Sequence, residues 1–313
     1  MFFLHPKLKF TKFLKLSLSS FNETDLKNEL NKYFPNKNIV FTDSGRSALA
    51  VIIESLSLQD TEVALPAYIC DVLSPILKKY NITPVFLDVD PQTFQPPLSE
   101  YKKLNKDVSA ILVCHTYGIP VSTTIFSYLK KHNKTIIEDC AHCLNFSEIS
   151  TKSQQERSTA QYFSLPKIIP APDGGLAVIN GVNKAKLGKN NHNLGLIKKM
   201  AQLFALIDWL MQKTKQFTKI RNLANPVFDQ PRKPTYFSLK MLFDYLISGQ
   251  KNTRVGKFYC KPILAEDPLK IKKILYKHNI FAQRIWSDPI IAKNSVNFPN
   301  TQQISKKIIC LPM

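Results

Sequence analysis

Between Asn38 and Val178, short runs rich in β-branched and aromatic residues alternate with longer segments of helical spacing, and this alternation constrains the fold more than any other feature. Residues 38–42, 62–65, 83–87, 109–114 and 135–137 read as strands, while 48–56, 72–80 and 125–132 read as helices. Such alternation calls for an α/β fold with a mainly parallel, doubly wound sheet and right-handed crossovers. The chain has 313 residues, 44% of them hydrophobic, enough for one large domain and a smaller one. In open α/β sheets chemistry gathers where strands end, so the residues placed there bear on function.

Three strand ends carry chemistry. The run Thr135-Ile136-Ile137 delivers Glu138-Asp139, and the next apolar pair, Tyr162-Phe163, leads to Lys167, 28 residues beyond Asp139. An amine free to form a Schiff base and an acid free to hold a cationic ring nitrogen are the protein's half of a pyridoxal phosphate site. The first strand ends in Asp43-Ser44-Gly45-Arg46-Ser47, followed by the helical pattern of residues 48–56. Backbone N–H groups, the Ser47 hydroxyl and the positive end of the helix dipole make a phosphate cradle there. Each feature also has a plain alternative: a ligand-free serine cap, Asp139 as a helix cap, Lys167 as a loop lysine, and His142 as a core histidine.

Two further motifs are weighed and set aside. Cys140 and Cys143 have the spacing of a metal or redox pair, but no second pair follows, and one such pair supplies half of a tetrahedral zinc site. No metal is expected, and six cysteines in mostly apolar segments suit reduced thiols in a cytoplasm. Ser164-Leu165-Pro166-Lys167 spells the SxxK of serine acyl enzymes, yet the companion SDN and KTG motifs are missing. The net charge of +20 favours anionic partners such as nucleotide sugars, nucleic acid or a membrane surface. Lysines interrupt the apolar residues of the first 21 positions, so that segment reads as an arm packed on the body rather than an export signal. The apolar, basic stretch of residues 194–212 is too short and interrupted for stable membrane insertion, which takes ~20 apolar residues.

In order and approximate spacing, DSGRSAL, LPAYICDVLSPILKKYNITPVFLDVD, VCHTYGIP, IIEDCAHCL and KIIPAPDGGLAV resemble the pyridoxal phosphate (PLP)-dependent sugar aminotransferases of the DegT/StrS family. The resemblance implies the aspartate aminotransferase fold (PLP transferase fold type I): a three-layer α/β/α large domain, residues 1–240, and a small C-terminal α/β domain, 241–313. The small domain reads as truncated, because members usually continue beyond the point matched by residues 308–313. It also implies that Lys167 carries the cofactor and shuttles a proton, that Asp139 keeps the pyridine nitrogen protonated, and that His142 lies near the ring. Gly45, Arg46 and Ser47 fall at the family's phosphate site. Cys70 stands where several members stack an aromatic ring, with Tyr68 as a nearby substitute. Tyr162 replaces a serine commonly found five residues before the lysine, and Ser164 is positioned to take over its contact. Asn191, Asn193 and Arg221 are candidates for reaching a neighbouring subunit's site. The implied activity is transfer of an amino group, usually from glutamate, to a nucleotide-linked keto sugar for polysaccharide, lipopolysaccharide or antibiotic sugar synthesis. A cytoplasmic homodimer that binds no nucleic acid is expected. Two other readings stay open: a non-catalytic or regulatory member of the family, and a basic module for anionic surfaces.

Overall fold

Strand pairing in the computed structural model follows the alternation read from the sequence; residues 3, 5–143, 158–189, 204–213, 228, 230–248, 259–287, 289 and 297–312 are described. Seven strands, β1 (Asn38–Thr42), β2 (Glu62–Pro66), β3 (Thr83–Leu87), β4 (Val108–Cys114), β5 (Thr135–Asp139), β6 (Ala160–Ser164) and β7 (Gly175–Ile179), form one sheet in the order β1-β7-β6-β5-β4-β2-β3. β7 pairs antiparallel with both neighbours, whereas the pairs β2–β3, β2–β4, β4–β5 and β5–β6 are parallel. The mainly parallel sheet is as expected. Its inner strands are near-continuous apolar runs because helices cover both faces.

One face packs on α3 (Gly45–Ser55), whose Ala48, Val51 and Ile52 meet Leu65, Leu112, Ile137 and Ala177. The opposite face is covered in two patches. Ile125, Phe126 and Leu129 lie over Ile111, Val113 and Ile136. Leu26 and Leu30 of α2 (Glu23–Tyr33) join Leu239 and Leu242 over Phe163, Leu176 and Val178. The α2 helix is capped by Asn22, which accepts from the Thr24 N–H at 2.9 Å, with Glu23 and Asp25 in the positive first turn. The N-terminal arm, including α1 (Phe10–Leu18), packs on the body through Leu8 and Leu16. No helix among the described residues is long and apolar enough to cross a membrane.

Several details refine the sequence reading. Glu138 and Asp139 lie inside β5 rather than after it, because they pair with Val113 and Cys114 and extend the ladder. The helix expected over residues 72–80 begins as a 3-10 turn and becomes α-helical at Ser74–Lys79, with Pro75 in the first turn, where its missing N–H is harmless. In the C-terminal part, the strand β8 (Lys261–Leu264) is followed by the helix Pro268–Lys277 and pairs antiparallel with β9 (Ile308–Leu311). The segment after that helix makes a single bridge, Gln283 to Cys310. The boundary drawn between residues 240 and 241 falls inside the helix Tyr236–Ile247, whose later residues Met241, Leu242 and Tyr245 pack with α2 in the large body.

The C-terminal part docks on the large body through Asp88, just past β3. Its Oδ1 accepts from the Thr301 N–H (3.0 Å) and hydroxyl (2.8 Å), and its Oδ2 accepts from the Asn300 N–H (3.1 Å). These are the first turns of the helix Pro299–Lys307, where a carboxylate also answers the helix dipole. Asp88→Ala is expected to destabilise the protein by about 1–3 kcal/mol. A thermal melt measures the loss, and an unchanged Tm would show that the docking rests on apolar contacts alone.

Candidate active site

β1, β2, β4, β5 and β6 all point the same way, so their C-terminal ends share one edge of the sheet. There Thr42 and Ser164 both pair with Gly175, Cys114 pairs with Asp139, and Asp139 neighbours Tyr162. Side chains alternate faces along a strand, and this register puts Cys114, Asp139 and Tyr162 in a row on the face that α3 covers.

Asp139 is half-buried at the centre of the row. Its Oδ1 accepts from the Ala141 N–H at 2.9 Å, the capping role that the sequence allowed. Its Oδ2 receives a long contact, 3.8 Å, from the Cys114 thiol. One oxygen caps and the other serves the crevice. Lys167 reaches the same crevice from a four-residue helix, Leu165–Ile168, that turns the chain back after β6. Burial raises the Cys70 thiol above its ordinary range, with Lys167 pulling it down and Asp139 pushing it further up. Buried Cys114 feels the same two charges. Acid and amine thus both act on these two thiols at one edge of the sheet.

Lys167 Nζ lies 3.1 Å from His142 Nε2, and His142 Nδ1 accepts from the Tyr117 backbone N–H at 3.1 Å. With Nδ1 committed as an acceptor, the neutral ring carries its proton on Nε2, which it can donate to Lys167 only when that amine is uncharged. Burial, then Lys167 and His5, hold His142 well below the usual imidazole range. The unfolded chain would bind a proton there near pH ~6.5 and the folded chain does not, so stability is present above that pH and falls as pH drops below it, by up to about 1.4 kcal/mol per unit. His142→Gln should flatten this fall, as seen by comparing Tm at pH 7 and 5.5 in both proteins. Equal slopes would refute the assignment.

Ser44 caps α3 by accepting from the Ser47 N–H at 3.2 Å, and Ser44, Gly45 and Arg46 are half-buried at the open end of the helix. Gly175 fixes this end against the sheet, since a Cβ there would lie 2.3 Å from the Ser44 carbonyl oxygen. A Cβ on Gly45 would meet Ser164 Cβ at 3.3 Å, which places Ser164 beside the same helix end. Ser47 differs: it is buried, and its hydroxyl donates to Asp43 Oδ1 at 2.5 Å rather than facing outward.

Tyr68 does not substitute at the ring-stacking position. It is fully buried, with its hydroxyl bonded to that of Tyr117 and donating to the Ile285 carbonyl at 2.8 Å, which commits it to the C-terminal part. The rings over His142 are Tyr259 (4.5 Å between centroids, 2° between planes), Trp286 (5.3 Å, 24°) and Tyr117 (6.1 Å, 7°). Sequence reasoning missed Tyr259 and Trp286, whose contact with residue 142 spans more than a hundred positions. The signal for Tyr117 is its place before Gly118, in a turn where it holds φ at 59°. Asn191, Asn193 and Arg221 lie outside the described residues.

The donor set fits pyridoxal phosphate. Asp139 can hold a ring nitrogen, Lys167 an aldehyde carbon, and the N–H groups at the start of α3 with Ser164 an anionic tail. The Tyr162 hydroxyl is buried beside Asp139, which pushes it up, and makes no hydrogen bond at full geometry among the described residues.

On the other face of β5, His115, Glu138 and Cys140 approach within 4.8 Å of one another. His115 Nδ1 accepts from the Val121 N–H at 3.3 Å, so its Nε2 carries the proton donated to Glu138 at 2.8 Å, where Gln161 also donates at 2.9 Å. The nitrogen a metal would need is occupied by that proton, and the trio is satisfied as a buried polar network.

The family model described as the DegT/DnrJ/EryC1/StrS aminotransferase family matches residues 16–207. Among characterised proteins, the chain is 28% identical over 144 residues to dTDP-4-dehydro-2,3,6-trideoxy-D-glucose 4-aminotransferase of Saccharopolyspora spinosa, covering 45% of this chain and 37% of that protein. It is 29% identical over 168 residues to GDP-perosamine synthase of Escherichia coli O157:H7, covering 48% and 43%. The matched stretch thus spans less than half the length of either relative. Among solved structures, the aminotransferase TlmJ of Streptoalloteichus hindustanus superposes with a TM-score of 0.68 at 14% identity, covering 100% of this chain and 93% of that one. PseC of Helicobacter pylori gives 0.65 at 16%, covering 99% and 93%. These superpositions identify the fold, the one expected from the motifs.

Proposed function

The chain belongs to the DegT/DnrJ/EryC1/StrS aminotransferase family, and from that premise we propose that it is a PLP-dependent aminotransferase acting on a nucleotide-linked keto sugar. The observation that carries this reading is the shared crevice: Lys167 and Asp139 at the ends of β6 and β5, next to the open N-terminus of α3. Pyridoxal phosphate, when bound, supplies the electron sink that makes a carbon–nitrogen exchange possible. The protein's own groups do the rest. Lys167 Nζ anchors the cofactor and then moves a proton at the carbon that gains nitrogen. His142, through its Nε2 proton, orients that amine. Asp139 holds a proton on the ring nitrogen, and Tyr259 and Trp286 exclude water above His142.

The two relatives are named for a dTDP sugar and for GDP-perosamine, and the charge of +20 suits a substrate with a diphosphate. Glutamate as donor, a homodimer, a cytoplasmic setting with the six thiols reduced, and a place in polysaccharide or lipopolysaccharide synthesis complete the reading. Members that dehydrate sugars carry histidine at the lysine position, and Lys167 places this chain with the aminotransferases. The test is incubation of the purified protein with PLP, glutamate and dTDP- or GDP-linked keto sugars, reading 2-oxoglutarate release and the mass of the amino sugar. Cofactor binding without release, for any donor and sugar offered, would favour the non-catalytic alternative.

A further inference from the structure

Buried tyrosines ordinarily find a partner for their hydroxyl, and an orphan in a filled core is costly. Tyr162 is 3% exposed; its hydroxyl meets no partner at full hydrogen-bond geometry among the described residues, and burial and then the neighbouring Asp139 carboxylate push it up. Its ring is well packed: it joins Ile137, Cys114, Ala141 and Ala177 in the core cluster beneath α3. The orphan is therefore the oxygen, not a loose side chain. Its position is set by strand register, because Tyr162 neighbours Asp139 across β5 and β6, and Asp139 neighbours Cys114 across β4 and β5. Asp139 thus has a thiol on one side and a phenol on the other. The thiol is a weak donor at 3.8 Å from Oδ2, while the Ala141 N–H serves Oδ1.

Resting on the cofactor assignment above, we propose that Tyr162 is a positioning residue for Asp139: once the crevice is filled, its hydroxyl donates to Asp139 and keeps that carboxylate ionised against the ring nitrogen. The physical reason is competition for one proton. A carboxylate that accepts another hydrogen bond binds protons less tightly, so the proton between acid and ring stays on the ring. A serine at this place could not do the same. Its side chain ends at the β-carbon's oxygen, whereas the phenol carries its O–H to the far side of a ring. The family's serine is thus replaced by a residue with a different task, and Ser164, next to the start of α3, is left with the anionic end of the cofactor.

The test compares wild type with Tyr162→Phe, which keeps the ring and removes the oxygen. Three readings are taken: the Tm of the cofactor-free protein, the Kd for PLP by fluorescence quenching, and the pH midpoint of the bound cofactor's visible band. The variant is expected to melt at the same temperature or higher, because an unsatisfied hydroxyl has been removed. It should bind PLP roughly tenfold more weakly, as befits a lost hydrogen bond to a charged group, and its band midpoint should move to lower pH. An unchanged Kd and midpoint would make Tyr162 a core residue only. A lower Tm in the cofactor-free variant would show that the hydroxyl already has a structural partner and also overturn the proposal. Wild-type protein that binds no PLP would instead overturn the cofactor assignment, a failure seen before any variant is made.

Discussion

Lys167→Ala is expected to abolish amino transfer while leaving the fold in place. Loss of proton transfer alone lowers a rate by roughly 10²–10⁴-fold, and here the same side chain also anchors the cofactor. The structural effect is small by comparison. Lys167 is half-buried on a four-residue helix, and its hydrogen bond to His142 Nε2 is worth about 1 kcal/mol. Rate and Tm therefore separate. Borohydride should fix PLP to the wild-type chain and not to the variant, and matching visible spectra of the two proteins would refute the assignment. Retained turnover would do so as well.

The fold was legible because each parallel strand is buried on both faces, which writes it as an unbroken apolar run such as VSAILVC in β4. The pairing directions of β7 were not, since antiparallel insertion between β1 and β6 depends on where Gly174 and Gly175 let the chain turn. Within the site, Asp139 and Lys167 stood out because their chemistry is carried by single side chains at strand ends. What surrounds them did not. The inward turn of Ser47 depends on Asp43, four residues earlier, and either role for that hydroxyl has the same local sequence. Tyr68 adjoins the crevice in sequence but is claimed by Tyr117 and Ile285. The aromatic rings over His142 come from residues 117, 259 and 286, a gathering that only the docking of the C-terminal part creates. Asp88, which anchors that docking, looks in the sequence like any acid after a strand.

Asp139→Asn separates the two roles left open by the sequence. Asparagine keeps the same Oδ1 acceptor as aspartate, so the Ala141 N–H keeps its partner and stability should stay within about 0.5 kcal/mol of wild type. The charge is what goes. An amide cannot hold a proton on the ring nitrogen, and removing a preorganised charge from a site of this kind typically lowers kcat by roughly 10²–10³-fold. The variant should therefore still take up PLP through Lys167 and the start of α3, yet turn over at a small fraction of the wild-type rate. Single-turnover kinetics with the loaded enzyme measures this without interference from cofactor loss. If Asp139 served only as a cap, the asparagine variant would be as active as the parent; a large drop in rate at constant stability can come only from the charge that Asp139 directs into the crevice.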